Sequence, residues 1–116
     1  MKRFNTYTTT KLAGVSYGEA QANIKRFGRR GTRFALVRER DNLHDPNAIK
    51  VTVADHFLGY IPKSLANKLA RALDAGKQFE VSFVCLNRSP YHDLIGLTIR
   101  ITEIGDEDDA YHRLRF

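Results

Sequence analysis

The sequence predicts a mostly β (α+β) fold: a small, partly open antiparallel barrel of five to six strands, OB-like or SH3-like, with one clear helix. Three observations predict it. Several short segments alternate apolar and polar side chains, which is the period of a half-buried strand. Gly, Pro, Asn and Asp separate those segments at short intervals, as turns require. One run alone, 62–75, has strong helical spacing, which is too little helix for the crossovers of a parallel sheet. A barrel with a helix across one end is the economical way to cover the strand edges.

The first strand is expected at 10-TKLAGVSY-17, with Gly14 as a bulge or close-approach point and Gly18 as its stop. A short helix is expected over 19-EAQANIKRF-27, where Ala20, Ile24 and Phe27 share a face. After 28-GRRG-31 comes a strand at 32-TRFALVRER-40. The turn-rich run 41-DNLHDPN-47 then leads into 48-AIKVTVA-54, where Ile49, Val51 and Val53 point one way and Lys50 and Thr52 the other. A hairpin tip at 55-DHF-57 returns through 57-FLGYI-61. Pro62 opens the helix 62–75, whose apolar side is Leu65, Ala66, Leu69, Ala70, Ala72 and Leu73, and Gly76 closes it. Strands at 78–86 and 94–104 flank a turn at 87-NRSPYHD-93. Strands are expected to pair with their sequence neighbours. Residues 1–105 form one domain and 106–116 an acidic tail.

Composition narrows the function classes. With 116 residues, 42% hydrophobic and 28% charged, the chain has the size and make-up of one globular domain. No apolar run approaches the roughly 20 residues of a membrane span. The start, Met1 to Thr6, has no apolar core and does not read as a secretory signal. The one cysteine, Cys85, has no partner for a disulfide or a zinc site, and its neighbours Phe83, Val84 and Leu86 predict a buried thiol. A reducing, cytoplasmic setting is expected, nucleoid-associated in a bacterial cell. The net charge is +6, and four of the acids sit together at 106-DEDD-109. Residues 1–105 therefore hold 17 basic against nine acidic side chains, and a polyanion partner is expected.

Catalytic readings are weak. His-Asp occurs at 44–45 and 92–93, both in expected turns, with no His-x-x-x-His, Cys pair or acidic triad to complete a metal site. The run 28-GRRGTR-33 lacks the lysine-serine pair of a phosphate loop. No enzyme activity, metal or cofactor is expected. Polyanion binding does better: 25-KRFGRRGTR-33 holds five basic residues in nine, with glycines that admit a phosphate to the backbone. Tyr17, Phe27, Tyr60 and Tyr91 fall at strand ends or in turns, where rings can stack on bases of a single strand.

The order of 12-LAGVSY-17, 34-FALVRERDNLHDPNAIKV-51 and 58-LGYIPKSLANKLARALDAG-76 resembles the HIRAN domain. That family occurs at the N-terminus of fork-remodelling SNF2-type helicases and as a stand-alone protein in bacteria and phages. Its pattern is an R-E-x-x-N-x-x-D-x-N-A-I-x-V run, then Gly-Tyr-Leu/Ile-Pro and an alanine-rich helix. The resemblance implies an OB-like barrel that binds single-stranded DNA with preference for a free 3′ end, in DNA repair or fork processing. It implies that Asp45 accepts a hydrogen bond from the 3′-OH, that Tyr17 and His44 stack on the last bases, and that Lys63, beside Tyr60, meets a phosphate. Arg29, Arg30 and Arg33 are expected to form an outer phosphate rail. His44 stands where the DNA-binding members have tyrosine, and Ser16 where they have arginine. Asn47 is expected to fix the turn into the strand. The alternative is an adaptor that recruits a nuclease or helicase through the acidic tail, Leu114 and Phe116.

Overall fold

The computed structural model describes residues 4–104, which form six strands and two helices. The order is β1 (Phe4–Lys11), α1 (Ala20–Phe27), β2 (Ala35–Arg38), β3 (Ile49–Val53), β4 (His56–Tyr60), α2 (Lys63–Asp74), β5 (Gln78–Ser89) and β6 (His92–Ile104). They build two three-stranded antiparallel sheets, ordered β1-β6-β5 and β2-β3-β4. The expected mostly β architecture is found, with both helices, but the strands do not close into a barrel.

Two seams join the sheets. Past β1, the Leu12 amide donates to Leu97 of β6 at 2.9 Å, and Ala13 then exchanges two 2.8 Å bonds with Tyr60 of β4. The chain thus passes from one sheet to the other within two residues. Gly59 makes this possible, since a Cβ there would lie 2.9 Å from the Ala13 carbonyl oxygen and 3.1 Å from Leu12 Cβ. At the second seam the Phe34 amide reaches the Val81 carbonyl at 3.4 Å. Between the sheets and helices lies one apolar cluster that includes Ile24, Ile49, Val51, Leu58, Leu97, Ile99 and Ile101. Gln21 of α1 fastens its helix to both sides of the first seam, donating to Val15 and Ile95 carbonyls and accepting from the Ile95 amide.

Several expectations are corrected. The first strand lies earlier, at Phe4–Lys11, and 12–17 is the crossing and a turn. Its partner is β6, so pairing is not confined to sequence neighbours. The β3–β4 tip is Ala54-Asp55, both at positive φ, and His56 already belongs to β4. Thr52 is buried rather than wet, because the register shifts between Val51 and Thr52 and breaks the simple alternation. The β5–β6 hairpin extends through most of the expected turn, leaving Pro90-Tyr91 at the tip. Cys85 is exposed, because a shift in register between Phe83 and Cys85 turns it off the core face. Helix α2 agrees with expectation: Ala66, Leu69 and Ala70 are buried, with Leu65 and Leu73 packed beside them. The acidic tail lies outside the described residues.

Candidate nucleic-acid interface

The run 38–48 is a loop braced at several points. Asn42 is its pivot: Oδ1 accepts the amides of His44 (2.8 Å) and Asp45 (3.0 Å), while Nδ2 donates to Glu39 Oε1 (3.0 Å). Asp45 repeats the device, Oδ1 accepting the Asn47 amide at 2.9 Å. The Asx turns are therefore made by Asn42 and Asp45. Asn47, expected in that role, instead ties the loop to α2 through a 3.1 Å bond from its side chain to Asn67. Arg38 donates to the carbonyls of Pro46 and Ala48 and grips Asp74 with two further nitrogens, at 3.0 and 3.1 Å. Arg40 reaches the same carboxylate at 2.7 Å. The hydrogen bond from Arg38 holds the Asp74 carboxyl below its usual pKa, and the same contact raises that of Arg38.

This bracing sets one wall of a surface groove of about 470 Å³, lined by Ala13, Tyr17, Asn42, His44, Asp45, Ala48, Tyr60, Ile61 and Lys63. The seam residues Ala13 and Tyr60 form its floor. Opposite the loop, Gly14 takes φ +64°, and a Cβ there would meet the Tyr17 ring at 2.9 Å and the Tyr60 ring at 3.2 Å. Tyr17 is 61% exposed, so most of its ring is free to stack. The Tyr60 hydroxyl donates to Glu39 Oε1 at 2.9 Å. Burial, and then that bond, push its phenol up to about 12. Lys63 begins α2 and is exposed.

Five residues expected at the site, Tyr17, His44, Asp45, Tyr60 and Lys63, thus meet in one groove. The arginines do not join them there: Arg30 and Arg33 line a second groove of about 390 Å³ against Phe79–Phe83 of β5, and Arg29 lines neither. His92 and Asp93 lie at the start of β6. Among the described residues no three His, Cys, Asp or Glu side chains come together as a metal-binding group. Two groups were not foreseen. Asn42 lines the groove and Glu39 anchors Tyr60; the sole sequence signal is the spacing Glu39-x-x-Asn42-x-x-Asp45, which places both beside the aspartate.

The HIRAN domain family model matches residues 6–102. The chain belongs to the HIRAN domain family. A Fanconi-associated nuclease 1 homolog from Oryza sativa subsp. japonica is 31% identical over 91 residues, covering 73% of this chain and 9% of the nuclease. The chain thus matches less than a tenth of that relative's length. Among solved structures, the HIRAN domain of human HLTF superposes with a TM-score of 0.71 at 22% identity, covering 92% of this chain and 82% of that one. A protein from Lactobacillus plantarum superposes with a TM-score of 0.69 at 25% identity, covering 84% and 92%. The HIRAN fold accounts for the two sheets and their crossing. No helix of the described residues is long and apolar enough to cross a membrane.

Proposed function

We propose that this HIRAN domain is a non-enzymatic module that binds single-stranded DNA at a free 3′-OH end, in DNA repair or fork processing. The observation that carries the reading is the convergence of Tyr17, His44, Asp45, Tyr60 and Lys63 on one groove. Each brings a distinct chemistry. The exposed Tyr17 ring and the His44 imidazole offer faces on which bases stack. The Lys63 ammonium is a mobile point charge for a phosphate. Asp45 spends one lone pair on the Asn47 amide, and a carboxylate has capacity to accept more. A hydroxyl can donate to it; a terminal phosphate is repelled. The hydrogen-bonded loop fixes that carboxylate before any ligand arrives, which lowers the ordering cost of binding.

In this reading Arg29, Arg30 and Arg33 meet phosphates farther along the strand. The match to a Fanconi-associated nuclease 1 homolog supports a nuclease as the partner. The test is titration of a labelled single-stranded oligonucleotide against the parent chain and against Tyr17→Ala and Lys63→Gln. Both variants are expected to weaken binding, with Tyr17→Ala costing about 1–3 kcal/mol if it stacks on one base. Unchanged affinity in both would remove the groove from the interaction.

A further inference from the structure

Behind the first groove sits a carboxylate that lines neither groove. Glu39 follows directly on β2, and a single oxygen of its side chain holds two parts of the site at once. Oε1 accepts the Tyr60 hydroxyl at 2.9 Å and Asn42 Nδ2 at 3.0 Å. A carboxylate oxygen has lone pairs for both donors, and its charge strengthens each bond. The other oxygen lies 3.9 Å from the Lys50 ammonium, and Lys50 is the cross-strand partner of Tyr60. The Glu39 side chain is only 24% exposed, so water competes weakly for these contacts.

Two chains of contact run outward from that oxygen. One passes through Asn42, whose Oδ1 fixes the amides of His44 and Asp45 and so the direction of the Asp45 carboxylate. The other ends on the Tyr60 ring, which Phe57 steadies from its side, edge to face at 5.2 Å. The backbone of Glu39 is fixed apart from its carboxylate: its amide donates to the Ala48 carbonyl at 2.9 Å, and its carbonyl accepts the Asn42 amide at 3.1 Å. Removing the carboxylate therefore frees side chains and leaves the path of the loop in place. We propose that Glu39 is the positioning residue of the first groove, setting the Tyr60 ring against the Asp45 carboxylate and thereby the preference for a 3′ hydroxyl, without touching DNA itself. The selectivity part of this rests on the 3′-end reading of the groove; the hold on the loop does not.

The test uses Glu39→Leu, which removes the acceptor, and Glu39→Gln, which keeps an oxygen able to accept both donors. Without DNA, hydrogen exchange at the His44 and Asp45 amides should quicken in Glu39→Leu and return towards the parent rate in Glu39→Gln. The Tyr60 phenol, losing the same acceptor, should ionise at lower pH in Glu39→Leu than in the parent. Slow exchange in the amides of β3 and β6 is the check on folding. With DNA, one single strand ending in 3′-OH or in 3′-phosphate is titrated against each chain. Glu39→Leu should lose about tenfold of the parent's preference for the hydroxyl, the equivalent of one hydrogen bond to a charged group. Glu39→Gln should recover most of it. A role in stability alone would lower both affinities in step and leave their ratio unchanged. Unchanged exchange in Glu39→Leu, an unchanged ratio beside a selective parent, or a Glu39→Gln as impaired as Glu39→Leu would each overturn the proposal. A parent without preference would sink the 3′-end reading and the selectivity with it, but not the hold on the loop, which the exchange measurement reads by itself.

Discussion

At the scale of single residues, the groove divides labour between groups that touch a ligand and groups that hold them. Asp45 does both, bracing Asn47 while presenting its carboxylate. His44 offers its exposed imidazole, while its amide is committed to Asn42. An imidazole has less stacking area than a phenol ring. His44→Tyr is therefore expected to tighten single-strand binding; a loss of affinity would show instead that the imidazole makes a polar contact. Tyr60 supplies a pH signature. Its phenol is raised from 10 to about 12, so the folded state holds the proton where the unfolded chain loses it. The stability from this residue is complete below about pH 10 and disappears as pH rises towards 12. Tyrosinate absorbance of the parent minus that of Tyr60→Phe should show one phenol ionising late. A difference spectrum centred near pH 10 would contradict the burial of the phenol together with its bond to Glu39.

At the scale of elements, the site depends on the seam where the chain crosses from β1 to β4. Gly59 is the narrowest point, with the Ala13 carbonyl oxygen 2.9 Å from where a Cβ would sit. Gly59→Ala must push Leu12 and Ala13 away, and a cost of about 1–3 kcal/mol is expected in denaturant unfolding. Because Ala13 and Tyr60 also floor the groove, ligand binding should weaken in the same variant. Much of this scale was legible in the sequence. Helix α2 declared itself by 3.6-residue spacing, β3 by alternation, and β4 as the strand returning from a short hairpin tip. The seam was not legible, because Leu12 and Val15 look like strand residues whether the chain continues or crosses. Strand β1 was missed for a related reason: its partner β6 lies some ninety residues away, and no local pattern reports such pairing. Cys85 was misread because a single shift in register exchanges the faces of a strand, and composition does not encode the shift.

At the scale of the whole molecule, positive charge is sorted by use. Arg38, Arg40 and Lys50, beside the loop 38–48, are paired with acids, while Arg30 and Arg33, with no carboxylate partner among the described residues, line the second groove. The sequence showed this basic run but not that it faces a different groove from Tyr17 and Asp45, since which loops meet is decided by how the sheets cross. If a bound strand reaches those arginines, each phosphate they neutralise releases counterions. The logarithm of affinity for a long oligonucleotide should then fall linearly with the logarithm of salt. R29Q/R30Q/R33Q should flatten that line by about one unit for each phosphate left without its arginine. An oligonucleotide too short to leave the first groove should show no such change. Equal slopes for the parent and the triple variant on the long strand would remove the arginines from the binding path.

The central claim is that the first groove receives a 3′ hydroxyl through Asp45. Its most direct test is a paired titration of one single-stranded sequence ending in 3′-OH or in 3′-phosphate, with parent chain and Asp45→Asn. The expected result is clear preference of the parent for the hydroxyl end, falling away in Asp45→Asn because the amide no longer repels phosphate. Equal affinity of the parent for both ends would contradict it.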